Sequence, residues 1–314
     1  MNLIAHLLLF LLVLFGITGS ATAQGFGDPA LRERQRALVE SALAALAPQR
    51  PDQPDLYVVG VGGDSTENVF RNETMYLEAL MSKRFGARGR VLTLINHSDS
   101  FNDPPRPLAT LDNLRGALAG VGKTMDREQD VLLLFMTMHG TAEHQLFVQM
   151  PPFYVDLIDP RQLRTALDDA GIRNRILVIS ACYSGGFIPA LKGDNTLVLT
   201  AAHKNRTSFG CGADSDITYF GRAWLVDALN QTTDFVAAFE AAKVLIAERE
   251  DDEDFRPSRP QIAIGKSILP RLKAWQSQLV PGPKVAFTLP APVPAPTAVQ
   301  NQKPKAQKAS KSKK

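Results

Sequence analysis

Short, almost continuously apolar runs recur along this chain, and segments of helical spacing separate them. The run Val-Leu-Leu-Leu-Phe over residues 131–135 has no polar position at all. A strand with one face in water alternates apolar and polar residues. A strand without that alternation must be covered on both faces, as in parallel sheets whose crossovers are helices. Residues 56–61, 90–95, 131–138, 175–179, 197–200 and 261–264 are the strand candidates. The intervening helices carry their own signals. Asp159 and Pro160 open one, Leu163, Ala166, Leu167 and Ala170 form its stripe, and Gly171 closes it. Leu111, Leu114 and Leu118 follow Thr110, and Phe235, Ala238, Phe239, Ala242 and Ile246 follow Asp234, in the same spacing. The expectation is an α/β fold, a mostly parallel central sheet with helices on both faces.

Such sheets bind ligands beyond the carboxyl ends of their strands, so the residues after each strand matter most. Gly60-Val61-Gly62-Gly63-Asp64-Ser65 follows one, but a dinucleotide fingerprint needs a third glycine where Ser65 stands. Gly122-Lys123-Thr124 resembles the end of a phosphate loop but lacks its first glycine, and it follows a helix instead of a strand. His139 and His144 are five apart, one too many for a helical zinc pair. No metal and no cofactor are expected.

Two strand ends do carry matching chemistry. Residues 131–138 run into His139-Gly140, and residues 175–179 into Ser180-Ala181-Cys182-Tyr183-Ser184-Gly185-Gly186. A thiol of pKa about 8.5 is mostly protonated at neutral pH and reacts as thiolate. An imidazole beside it can take that proton and later deliver it to a leaving amine. Gly140, with no side chain, lets its N–H approach a carbonyl oxygen, and with the Cys182 N–H could form an oxyanion hole. By spacing alone, a strand-end histidine in the core and a structural or disulfide cysteine would look the same. Ser184 as nucleophile would need glycine at position 182, which is Cys.

The strings LLLFMTMHG (132–140), ILVISACYSGGF (176–187) and RTSFGCGADSDITYFG (206–221) resemble the bacterial branch of the legumain-like cysteine peptidases, family C13. The resemblance implies a caspase-like three-layer fold and a cysteine endopeptidase acting on peptides or proteins. It implies His139 as the proton-transfer residue, Cys182 as nucleophile and Gly140 as oxyanion donor. It further implies that Asn68, in the loop after the first strand, positions the histidine. It places Arg71, Tyr183, Ser208 and Asp214 at the substrate pocket. Legumains have Glu after the catalytic cysteine where this chain has Tyr183, so a preference for Asn or Asp before the scissile bond is the favoured expectation and not a strict one. A transpeptidase using the same pair, or a non-catalytic envelope scaffold, is the alternative. Oxidation of Cys182 with Cys211 would consume the nucleophile, so free thiols or a reversible redox lock are expected, and Cys211 is given no further role.

The ends of the chain differ from its body. Residues 3–17 are apolar apart from His6 and Gly16, too short for the roughly 20 residues of a bilayer span, and Ala21-Thr22-Ala23 follows as a cleavage-type sequence. Residues 1–23 therefore read as a signal peptide, residues 24–50 as a helical lead-in and residues 51–280 as the peptidase domain. An exported, periplasmic or secreted protein with no membrane span in its mature form is expected, or an anchored one if the leader is retained. Of 35 Lys and Arg, seven fall within residues 284–314, where no acid occurs, leaving 28 basic against 32 acidic residues elsewhere. A nucleic-acid-binding domain wears its positive charge on the fold, so nucleic acid is not an expected partner. Residues 281–314, rich in Pro, Ala and Lys, are expected to be a disordered tail that could touch an anionic envelope surface. The acidic run 248–254 is expected to be a solvated loop, and oligomeric state is left open.

Overall fold

The computed structural model describes residues 27–290 other than Ala213. The expected signal peptide and residues 291–314 of the expected tail lie outside the described residues. Among the described residues no helix is long and apolar enough to cross a membrane.

All six strand candidates form one sheet, in the order β2-β1-β3-β6-β7-β8. These are β1 (Leu56–Gly62), β2 (Val91–Ile95), β3 (Val131–Thr137), β6 (Arg175–Ser180), β7 (Thr196–Thr200) and β8 (Gln261–Ile264). The pairings are parallel except β7 with β8. Along β3, Leu132, Leu134 and Met136 enter one core while Val131, Leu133 and Phe135 enter the other, which is why residues 131–136 include no polar side chain. The first core is closed by α1 (Pro29–Ala44), α3 (Leu111–Thr124) and α4 (Pro160–Asp169); the second by α2 (Asn68–Arg84), α6 (Phe235–Asp252), α7 (Ile268–Gln278) and a π-helical turn over Gly221–Ala228. The result is the expected three-layer α/β fold.

The helices start where their caps direct. Asp159 and Gln162 complete a capping box at α4, Thr110 caps α3, and Asp234 caps α6. The glycines of β1 have a steric purpose: a Cβ on Gly62 would come within 3.0 Å of both the Phe70 carbonyl and Thr74 Oγ1. They let α2 lie close against the strand.

Three features depart from expectation. A hairpin, β4 (Leu146–Met150) with β5 (Tyr154–Ile158), follows His139. It docks through Tyr154, whose hydroxyl donates to Asn96 Oδ1 and to the Ala109 carbonyl. The acidic run 248–254 is not a loop but continues α6 to Asp252, because Glu250 is buried and accepts the Ser258 N–H at 3.0 Å. Residues 281–290, assigned to the disordered tail, are strapped onto the body instead. The Val285 carbonyl accepts from Tyr76 Oη at 2.8 Å and Asn230 Nδ2 at 3.0 Å, while its N–H donates to Asn230 Oδ1 at 2.8 Å. Phe287 packs on the Tyr76 ring.

Tyr76 and Asn230 are both buried, and a buried polar group that loses its partner costs about 1–3 kcal/mol. Truncation after residue 280 should therefore lower stability by a few kcal/mol relative to truncation after residue 290, read from urea melts of the two chains.

Candidate active site

The parallel register of β3 and β6 pairs Thr137 with Ser180, and the Met138 N–H donates to the Ser180 carbonyl at 3.3 Å. Two residues further on, His139 and Cys182 leave the sheet side by side, from neighbouring strands at its carboxyl rim. After His139 the chain turns back at once: Thr141 N–H donates to the Gln145 carbonyl at 2.9 Å and Phe147 N–H to the His139 carbonyl at 3.0 Å. In this pairing Gly140 faces Leu146 without bonding it. Among the described residues, no acceptor takes the N–H of Gly140 or of Cys182. A Cβ on Gly140 would lie 2.3 Å from the Cys182 carbonyl oxygen, so glycine is needed for the two strand ends to meet.

The thiol has a defined environment. Ser208 N–H donates to Cys182 Sγ at 3.3 Å, with the Ser208 hydroxyl at 3.7 Å and its carbonyl at 3.6 Å. The Cys182 pKa is pulled down to about 6. The largest cause is a hydrogen bond from the Cys211 thiol; burial opposes it, and Ser208 and the charge of His139 add to it. The same contact, with burial, pushes the Cys211 thiol up. Both cysteines are free. His139 rests on the edge of the Phe70 ring, centroids 5.0 Å apart, so the first turn of α2 supports the imidazole.

Tyr183 follows the thiol in the left-handed region, at φ 56°, a conformation costing a non-glycine residue roughly 1–2 kcal/mol. It is held there by its N–H donating to the Arg206 carbonyl at 2.7 Å and by Gly185 N–H donating to Ala202 at 2.9 Å. Ser208 lies against the thiol. Asn68 and Arg71 occupy a separate cluster on the same rim. Asn68 Oδ1 meets His97 Nε2 at 3.0 Å, not His139. Arg71, largely buried, stands 3.4 Å from Asp99 Oδ2, within ion-pair range but outside hydrogen-bond geometry. Burial raises Asp99, yet His97 and Arg71 outweigh it and hold the carboxyl below its usual range. Asp214 sits in an exposed turn closed by Ser215 N–H to the Gly212 carbonyl at 3.0 Å. A cavity of about 410 Å³ between α1 and α3 shares no residue with this rim and is lined by no cysteine or histidine.

The model of the peptidase C13 family matches residues 111–271, just over half of the chain. The chain belongs to the peptidase C13 family. The match contains His139, Gly140, Cys182, Tyr183, Ser208 and Asp214, while Asn68 and Arg71 precede it. Among solved structures, caspase-1 from Spodoptera frugiperda is similar to this C13 chain at 12% identity and a TM-score of 0.47, over 70% of this chain and 93% of that one. No curated protein matches it.

Sequence reasoning passed over two residues of this C13 site. Cys211 was given no role, yet its thiol is the leading cause that holds the Cys182 pKa down. Glu73 was not singled out, because an acid in a helical stretch reads as solvated. It is wholly buried: Oε2 accepts from Thr137 Oγ1 at 2.6 Å and Oε1 from Thr218 N–H at 2.8 Å. It thus ties α2 to the strand that carries His139 and to the loop after Cys211.

Two outcomes follow. Cys211→Ala should raise the Cys182 pKa from about 6 toward the ordinary thiol value, read from iodoacetamide rates against pH. Burial raises the Glu73 pKa, so the folded state holds that proton more tightly than the unfolded chain. Its stability contribution is complete below the unfolded value of about 4.3 and is lost as pH rises through the folded one. Urea melts should show Glu73→Gln gaining on wild type as pH rises across that window.

Proposed function

We propose that this chain is an exported cysteine endopeptidase that works through Cys182, His139 and a thioester intermediate. The carrying observation is geometric: the β3–β6 register sends His139 and Cys182 off adjacent strand ends, the Ser208 N–H donates to Cys182 Sγ at 3.3 Å, and among the described residues the N–H groups of Gly140 and Cys182 meet no acceptor. The charge of His139 also helps pull the thiol down to about 6. At neutral pH such a thiol is mostly thiolate. Its sulfur attacks the scissile carbonyl carbon, and the C=O π electrons move to oxygen, within reach of the two N–H donors. One such donor is typically worth about 3 kcal/mol. His139, as the imidazolium formed by taking the Cys182 proton, protonates the departing amine as the C–N bond breaks, leaving the thioester. Water then attacks, His139 takes its proton, and the carboxyl product leaves with the thiolate restored. No cofactor enters these steps.

The proposed preference before the scissile bond is Asn or Asp. Ser208 lies nearest the thiol, Arg71 supplies a buried cation on the same rim, and Tyr183 bounds the pocket where legumains carry Glu. Export rests on the leader-like residues 1–23, and secretion of a fusion to that segment tests it.

The main experiment is cleavage of a peptide library varied before the scissile bond, with reducing agent present. Wild type should cleave, and Cys182→Ala and His139→Ala should each lose at least about 10³-fold. A folded, reduced wild type that cleaves nothing, and labels with iodoacetamide equally with or without His139, would mean a scaffold instead. Capture of added amines in place of water would identify a transpeptidase.

A further inference from the structure

Next to Cys182 the surface is basic, although the rest of the body is acidic. The segment after β7 (residues 203–209) and the segment after α6 (residues 255–259) lie against each other. His203 N–H donates to the Ser258 carbonyl at 2.8 Å, and the rings of Phe209 and Phe255 stack at 4.4 Å. These segments carry Arg206, Arg256 and Arg259, with Lys204 alongside. Among the described residues none of these four forms an ion pair, whereas neighbouring Arg249 is paired with Glu253 at 3.1 Å and lies over the Tyr219 ring. Asp251, Asp252 and Asp254 are close in sequence, yet they pair with none of the arginines. The guanidinium of Arg206 is pushed below its ordinary value by desolvation and then by the charges of Arg256 and Arg259. Arg256 and Arg259 therefore act against the charge of Arg206, and among the described residues no carboxylate pairs with any of the three.

The cluster is joined directly to the chemistry. The Arg206 carbonyl holds the N–H of Tyr183, and Ser208, two residues on, holds the thiol. Guanidinium groups match carboxylates bidentately, and exposed Phe255 stacked on half-buried Phe209 beside them offers apolar cover to the same ligand. We propose that Arg206, Arg256 and Arg259, with the Phe209–Phe255 step, receive an acidic stretch of the peptide substrate flanking the scissile bond. The proposal rests on the cysteine-peptidase reading and names the substrate class for it.

Binding can be read without turnover. Fluorescence anisotropy of Cys182→Ala with labelled peptides should show Asp- or Glu-flanked sequences bound at least about tenfold more tightly than neutral ones, with Lys-flanked ones weakest. The margin should shrink between about 50 and about 300 mM NaCl. Adding Arg256→Glu and Arg259→Glu should reverse the order in favour of Lys-flanked peptides. Arg256→Gln with Arg259→Gln should flatten it, and both residues are exposed, so folding is checked by thermal melts. The proposal is overturned if acidic and neutral peptides bind alike, including the case where only a non-peptide polyanion such as polyphosphate binds. It is equally overturned if the acidic preference survives both double variants. Failure of the peptidase reading is read separately, from iodoacetamide labelling of Cys182 in the wild-type chain with and without His139.

Discussion

The parallel pairing of β3 with β6 is the constraint on which the rest depends. Its register sets Thr137 against Ser180, and everything chemical follows two residues later, where an imidazole and a thiol leave adjacent strands in step. A shift of one residue would turn one of the two side chains to the opposite face of the sheet. The register is guarded from both sides. The two cores take alternate residues of β3, and the Gly140 backbone fits against the Cys182 carbonyl with no room for a Cβ. Packing and chemistry thus select the same alignment.

Under this rim the protein keeps buried acids in two different ways. At the amino end of the strands, Asp55 is wholly buried against Arg50 and Arg90 and accepts the Arg50 N–H at 2.8 Å, while Asp130, raised to about 6 chiefly by burial, accepts the Asp55 N–H at 2.7 Å. At the carboxyl end Glu73 pairs with no cation among the described residues and is held by a hydroxyl and an amide. Burial raises that carboxyl, while the bonds from Thr137 and Thr218 act to lower it.

The parts of the fold that were legible in sequence are those where one residue type repeats with one purpose. Unbroken apolar strands, capped helices and the His-Gly and Cys ends of β3 and β6 all declared themselves. The β4–β5 hairpin did not, because Pro151-Pro152 stands where a turn signal would be read as a break. The strap over residues 281–290 was hidden by composition: Val285 and Phe287 are its anchors, and the prolines around them read as linker. Glu250 and Glu73 were invisible for one reason, since a sequence does not say which acid on a helix faces inward. Asn68 and Arg71 were found, but their partners, His97 and Asp99, follow a different strand and come near only through the fold.

Tyr183 bears on how the site can move. Its left-handed backbone is not a resting conformation for tyrosine and persists because the loop after β7 grips it through Arg206, and grips the next turn through Ala202. That same loop supplies Ser208 to the sulfur. The nucleophile and the 203–209 segment are therefore one mechanical body with two outer surfaces. Whatever presses on that segment tugs the Ser208 amide that meets the sulfur, so under the proposed peptidase reading the tightness with which a peptide is gripped there and the speed at which it is cut would be geared together.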